Sequence, residues 1–319
     1  MRTCFCRSSS SVVLATTLVL AQACVVGVDG DTEWSDDDDL SDDEVPDYDP
    51  STPLEPMADD HCLAGITDYG EPGPFSFGRR AAGPLGLVKM WVPDVPEGCK
   101  VPMVHLANGT GAFCDIYAPS LERLASHGFL ALCFESPITG AGHAGMTAFE
   151  TALAELPYLA DLRFGSTGHS QGGMGALVTQ QYAEAKWGST GVYAGLAMQP
   201  ASGFGAQPIL EGEGLWPQVY ARIKSPVFMF SGWITDGLVP EPWVGLAYAA
   251  LSPDTEAYYW AKLSTHIPVP NAAEMQVAIP WFRWKLLGDR DACEYFHQIP
   301  DQDLTWQVRA ERNVQACSD

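Results

Sequence analysis

From about residue 61 onward, short apolar runs alternate with longer stretches in which apolar residues recur every three or four positions. "VPMVHLA" and "FLALCFE" are continuous apolar runs, the pattern of strands buried on both faces. "FSFGRR" and "LGLVKMWVP", parted by a Gly/Pro turn, predict early strands. "APSLERLASHG" has helical spacing, with Pro119 near its first turn and Gly128 at its stop. The loop "SPITGAGHAG" leads into a second helix, "MTAFETALAEL". A short strand, "RFGSTG", then runs through a glycine-rich stretch into the helix "GGMGALVTQQYAEAK". "VYAGLAM" and "PVFMFSG" are further strands on either side of a long Gly/Pro-rich segment. "TEAYYWAK" is expected to be the last strand, and "AAEMQVAIPWFRWKLLG" the last helix, interrupted at Pro280. Strands alternating with helices predict one α/β domain over 61–319, with a mostly parallel sheet covered on both faces. No internal repeat is visible.

Composition changes the picture mainly at the N-terminus. Apolar residues make up 46% of the chain and ten are tryptophan, enough for a sizeable core. The formal charge is −23, but residues 1–60 hold 15 Asp/Glu against two arginines, leaving a net of −10 on the rest. A body this acidic repels phosphate backbones, so no nucleic-acid partner is expected. Residues 1–23 read as a signal peptide: "MRTCFCR" is a positive n-region, "SVVLATTLVL" an apolar core too short to span a bilayer, and "AQA" a small-x-small cleavage site. Cys24 follows directly, so the start is that of a secreted protein or of a bacterial surface lipoprotein. Ala21 stands three residues before Cys24, an imperfect lipobox, and a lipid at Cys24 is the only membrane attachment expected. Residues 24–60 are acidic and proline-bearing with few apolar positions, a disordered spacer. Their spacing lacks the central glycine and closing glutamate of an EF-hand.

Six cysteines follow Cys24, an even number suited to disulfides in an exported chain, although six allow 15 pairings. Cys293 and Cys317 bracket the C-terminal tail, a loop whose closure is worth about 3–4 kcal/mol in the chain-entropy model. Cys62–Cys99 would staple the start of the domain to its early strands. Cys114 and Cys133 remain as a third pair, or Cys133, inside "FLALCFE", is a buried free thiol. No Cys/His spacing suggests a metal site.

The chemistry concentrates in "GSTGHSQGGMGAL", residues 165–177. Gly168-His169-Ser170-Gln171-Gly172 matches G-x-S-x-G where the pattern reads strand, turn, helix. Glycines two residues either side of the serine give the clearance a tight turn needs, which lifts the serine oxygen clear and aims helix amides at a reacting carbonyl. A serine hydroxyl needs a base and an orienting carboxylate. After Ser170 the histidines are His266, in the loop leaving the last predicted strand, and His297, in the tail. Asp236 follows "VFMFSG" within a few residues; Glu213 and Asp254 are the alternatives weighed against it. Ser170, Asp236 and His266 are therefore the expected nucleophile, acid and base. The backbone N–H groups of Gln171 and of Thr110, in the loop "NGTGAFCD", are the expected oxyanion donors. His105 reads as a strand histidine satisfied by the backbone. His169 and His143 are candidates for the cleft rim.

"LERLASHGF", "GHSQGG", "SGWITD" and "STHIPVPN" together resemble the bacterial cutinase-like polyester hydrolases. These sit in the dienelactone-hydrolase-like branch of the α/β-hydrolases, beside PET-degrading enzymes and platelet-activating-factor acetylhydrolase-like proteins. The likeness covers most of residues 75–317. It implies an α/β-hydrolase fold, Ser170, His266 and Asp236 in the roles given above, and a tail disulfide from Cys293 to Cys317. Thr110 falls where that family usually has an aromatic residue that donates an amide and stacks on substrate. Gln171 falls where it has methionine, His169 where it has His or Trp, and Trp233 lies in the acid's loop. Threonine offers no aromatic face, and Phe113 or Trp233 are candidates to supply one. "QPASGFGAQPILEGEGLWPQVYARIKSP" is longer than its counterpart and would reshape the cleft wall.

The expected function is that of an exported serine carboxylic-ester hydrolase, a monomer acting on polyester- or cutin-like or short-chain esters without metal or organic cofactor. The alternatives are a lipase- or PAF-acetylhydrolase-like esterase on lipid esters, an acyltransferase or perhydrolase using the same triad, and a surface-tethered binding protein on the same fold.

Overall fold

A computed structural model describes residues 62, 63, 66, 68–202, 216–233, 236–266 and 272–317. The expected signal peptide (1–23), the linker (24–60) with Cys24, the alternative acid Glu213 and most of the long "QPASGFG" segment lie outside the described residues.

Among the described residues nine strands form one sheet: β1 (Phe77–Ala82), β2 (Val88–Pro93), β3 (Val101–Ala107), β4 (Leu130–Phe134), β5 (Ala160–His169), β6 (Val192–Met198), β7 (Val227–Gly232), β8 (Ala257–Lys262) and β9 (Trp306–Arg312). Their spatial order is β1-β2-β4-β3-β5-β6-β7-β8-β9. The strands from β4 and β3 through β8 pair in parallel, while β1, β2 and β9 add antiparallel edges. The described helices are α1 (Ala118–Ser126), α2 (His143–Glu155), α3 (Gln171–Trp187), α4 (Trp216–Tyr220), α5 (Glu241–Ala250), α6 (Ala272–Leu287) and α7 (Arg290–Gln302). The architecture is thus α/β with a mostly parallel sheet. None of these helices is long and apolar enough to cross a membrane.

The packing explains the apolar runs. Every residue of β3, β7 and β8 is buried because helices cover both faces. One face carries α1 and α6, with Leu121, Leu124, Phe129, Trp281, Phe282 and Phe296 in its core. The other carries α2, α3, α4 and α5, with Phe149, Phe164, Leu177 and Val219 among its buried side chains. Strand β5 lies at the centre, between β3 and β6.

Three expectations are corrected. TEAYYWAK is not the last strand, since β9 pairs beyond it; WQVRAER has no apolar run, being a half-exposed edge. AAEMQVAIPWFRWKLLG is neither the last helix nor broken at Pro280. α6 runs through that proline, its flanks Ile279, Trp281 and Phe282 fully buried, and α7 follows it. Tertiary packing there overrides the proline's intrinsic cost. β5 is also longer than "RFGSTG", beginning at Ala160.

Among the described residues three disulfides are present: Cys62–Cys99, Cys114–Cys133 and Cys293–Cys317. Cys133 is therefore not a free thiol. Cys114 opens a short 3-10 turn, Cys114–Tyr117, that lies over β4 and presents its sulfur to Cys133. Disulfides of this number fit an oxidising, extracellular environment.

Candidate active site

Ser170 sits where β5 passes directly into α3, with φ 60° and ψ −121°. Positive φ is unusual for a residue with a Cβ and costs of order 1–3 kcal/mol unless the surroundings impose it. Here they do. Ser170 N donates to Met198 O (3.0 Å), and Ser170 O accepts from Gly173 N (3.0 Å) and Ala201 N (3.0 Å). The flanking glycines are sterically required. A Cβ on Gly168 would overlap the carbonyl of Gly172, and a Cβ on Gly172 would overlap the carbonyls of Ala107 and Asn108. The turn also leaves the first amides of a 17-residue helix without intrahelical partners, at the positive end of its dipole.

Asp236 and His266 follow the C-terminal ends of β7 and β8, on the same edge of the sheet as Ser170. His266 Nδ1 lies 2.9 Å from Asp236 Oδ2, and both residues are buried. Asp236 Oδ1 accepts from Leu238 N (3.0 Å) and Val239 N (2.8 Å). Burial pushes the Asp236 carboxyl up, but hydrogen bonds from His266 and these amides outweigh it and hold the group below the usual carboxylate range. The ring of His266 packs against that of His169, the residue before Ser170, with centroids 4.7 Å apart. One edge of the sheet thus gathers a strained serine, an imidazole and an ionised carboxylate. Such a set can activate a hydroxyl.

The loop after β3 closes the other side. The ideal Cβ position of Gly109 is 3.5 Å from Ser170 Cβ, which puts Thr110 next to the serine's turn. Asn108, buried, holds this loop: its Nδ2 donates to Ala112 O (2.7 Å) and Ser136 O (2.6 Å), and its own carbonyl accepts from Thr139 Oγ1 (2.7 Å). Thr139 N reaches Gln171 Oε1 at 3.4 Å, so the Gln171 side chain is spent on the loop after β4. The backbone N–H of Gln171, first in α3, is among those that a helix start leaves without an intrahelical acceptor.

The rim candidates separate. Phe113 is 48% exposed in the Thr110 loop, joined on the same edge by Ile138 (57%) and Leu238 (56%) on the loops after β4 and β7. Trp233 is half-buried, its backbone N–H donating to Lys262 O (2.6 Å) and its ring lying under the Arg309 guanidinium, which ties it to β9. His169 is only 3% exposed and does not rim a cleft; both ring nitrogens are engaged beneath the turn. His143 is not at the rim either. It opens α2 and stacks on Tyr182 (centroids 5.3 Å), eleven residues beyond Gln171 and so about 16 Å along α3. His105 is fully buried without a described partner, not satisfied by backbone, and burial pushes it down to about 3. His297 packs on Trp284 and Tyr258.

Among the described residues, Cys293, His297 and Cys317 come close enough together to suggest a metal site, but both sulfurs are joined in a disulfide and offer no thiolate. No protein-family model matches the chain, and no curated protein matches it.

Sequence reasoning missed Asn108, Tyr117 and Gln199. Asn108 carried a signal, since Asn-Gly directly after a buried strand marks a specific turn. Gln199, a polar residue ending the apolar "VYAGLAM" run, carried a weaker one. Tyr117 carried none.

Proposed function

We propose that this protein is a serine carboxylic-ester hydrolase of the α/β-hydrolase fold, exported and acting as a monomer on esters with apolar character. The observation that carries the reading is the buried His266–Asp236 hydrogen bond packed against the turn that strains Ser170. The order of the parts supports it: serine after β5, acid after β7, base after β8, all on the carboxyl edge of one sheet whose first eight strands run β1-β2-β4-β3-β5-β6-β7-β8.

In this reading Ser170 Oγ attacks the ester carbonyl carbon while His266 Nε2 takes the hydroxyl proton. Asp236 accepts the Nδ1–H and stabilises the imidazolium. The negative charge on the carbonyl oxygen falls between the amides of Gln171 and Thr110. Collapse breaks the bond to the alkoxy oxygen, which leaves as alcohol with the proton from His266. Water, deprotonated by His266, then releases the acid from Ser170. No metal enters these steps.

The exposed Phe113, Ile138 and Leu238 favour an acyl or alcohol portion that is itself apolar. That suits polyester- or cutin-like chains and lipid esters better than small charged ones. The acidic body disfavours nucleic acid, and Cys24 is the one place where a lipid could tether the protein. The test is turnover of p-nitrophenyl butyrate, triglyceride and polyester film by wild type and Ser170→Ala. Wild type should turn over at least the soluble ester, and the variant should lose about 10⁴-fold or more in kcat. Equal rates in the two proteins would refute the reading.

A further inference from the structure

Beneath Ser170 four hydrogen bonds run in a single direction between two loops of the site. Gly109 N–H donates to the Tyr117 hydroxyl at 2.9 Å. Tyr117 OH lies 3.1 Å from His169 Nδ1, and His169 Nε2 lies 3.1 Å from Gln199 Oε1. Gln199 Nε2 donates to Thr265 O at 3.1 Å, one residue before His266.

The two ends fix the polarity of everything between them. A backbone N–H can only donate and a backbone carbonyl can only accept. The Thr265 carbonyl takes the Gln199 amide N–H, which turns Gln199 Oε1 to His169 and requires the ring proton on Nε2. The neutral ring is then bare at Nδ1, so the Tyr117 hydroxyl, which receives from Gly109, gives its own proton there. A flipped Gln199 would set oxygen against oxygen. Gln199 is itself held at φ 48°, a left-handed conformation rare for a residue with a side chain, and its N–H is anchored on Phe230 O (2.8 Å). Tyr117, His169 and Gln199 are all buried, so the three bonds from Gly109 to Gln199 are shielded from water, and only the last, to Thr265 O, lies near the surface.

We propose that His169, with Tyr117 and Gln199, is a positioning residue: the three form one hydrogen-bonded brace that sets the distance between the oxyanion-donor loop and the loop carrying the base. The brace crosses directly under the nucleophile, because His169 is the residue that β5 places before Ser170. Its neutral ring also suits its place against His266. An imidazolium on His266 meets no second positive charge there, since burial pushes His169 down to about 4. The brace gives a hydrogen-bonding partner to the hydroxyl of Tyr117, whose ring is part of the buried core, and to both amide atoms of the buried Gln199.

The proposal rests on the ester-hydrolase reading for its kinetic test, and has a second test that does not. For the first, kcat and KM for p-nitrophenyl butyrate are measured for Tyr117→Phe, Gln199→Met and the double variant, each shown folded by near-UV circular dichroism. Each single change should lower kcat about 10–100-fold with KM moving less than about threefold, as for a misplaced rather than a missing group. The double variant should fall within about threefold of the worse single one, because either change breaks the same brace. Losses that multiply, or singles with wild-type kcat, would overturn it. For the second, ¹⁵N spectra of the full chain carrying Ser170→Ala should show His169 protonated at Nε2 and bare at Nδ1. Adding Tyr117→Phe should then shift the His266 ring signals as well as those of His169. A His169 proton on Nδ1, or an unmoved His266, would overturn the brace even if the wild-type protein hydrolysed no ester at all.

Discussion

Removing the Cys114–Cys133 disulfide should weaken the protein and, separately, loosen one wall of its site. The bond closes a loop with a sequence separation of 19. In the chain-entropy model that closure is worth about 3 kcal/mol at 25 °C. For a domain of this size each kcal/mol moves the melting temperature by roughly 2–4 °C, so the paired change Cys114→Ala with Cys133→Ala should lower it by about 6–12 °C. Cys114 also begins the 3-10 turn that ends in Tyr117, whose hydroxyl holds the Gly109 amide beside Ser170. Catalysis should therefore suffer below the new melting temperature, kcat falling several-fold while KM moves little. The control is the Cys62–Cys99 pair, whose separation of 37 is worth about 4 kcal/mol by the same model. Cys99 precedes β3 and so lies at the opposite edge of the sheet from Ser170. Breaking that bond should cost at least as much stability and leave kcat within about twofold. The assay is a melting curve with p-nitrophenyl butyrate kinetics at 20 °C for both paired variants. Equal kcat losses in the two, or an unchanged melting temperature without Cys114 and Cys133, would refute the reasoning.

Asp236→Asn keeps the shape of the acid but removes the charge that stabilises a protonated His266. It should lower kcat by about 10³–10⁴-fold with KM nearly unchanged in steady-state assays. Gly172→Ala places a methyl group against the carbonyls of Ala107 and Asn108, so expression should yield a protein that melts far below wild type or does not accumulate. Acid should destabilise the fold through histidines held neutral by burial: His105 is pushed down to about 3, and His127 and His169 to about 4. Unfolded chains bind those protons from about pH 6.5 downward and the folded protein does not. Stability therefore falls as pH drops from 6.5 towards 4, by about 1.4 kcal/mol per pH unit for each histidine. Glu184, which burial pushes up to about 7, opposes one of them over the same range. Urea midpoints at pH 7, 6 and 5 should fall in that order, and a flat or rising series would contradict the assignment.

The strands that make the sheet's centre were legible because burial on both faces leaves no polar alternation to misread. β3, β4, β6, β7 and β8 each stand where an apolar run predicts them. The first edge was legible too, β1 and β2 standing at FSFGRR and LGLVKMWVP, but the C-terminal edge was not. β9 buries only Trp306 fully and has no apolar run, so it is defined by what it pairs with. α7 did carry a signal, Ala292, Cys293, Phe296 and Ile299 at helical spacing behind the Asp289 cap, which the proline and histidine in the same stretch obscured. The site divides in the same way. Ser170 announces itself through local glycines, and Asp236 and His266 through their places after apolar strands. The brace through Tyr117, His169 and Gln199 joins residues 52 and 30 positions apart, and no local spacing encodes such a contact. His169 reads as a rim residue in the sequence because its adjacency to Ser170 is visible there, whereas the inward turn that β5 gives it is not.

The central claim is that Ser170 is a nucleophile activated by His266 and Asp236. Its most direct measurement is covalent labelling of the full chain by a fluorophosphonate probe, with the adduct located by mass spectrometry. The account predicts one adduct, on Ser170, with labelling slowed at least about 10³-fold by His266→Ala. Labelling at another residue, or none on a folded protein, would contradict it.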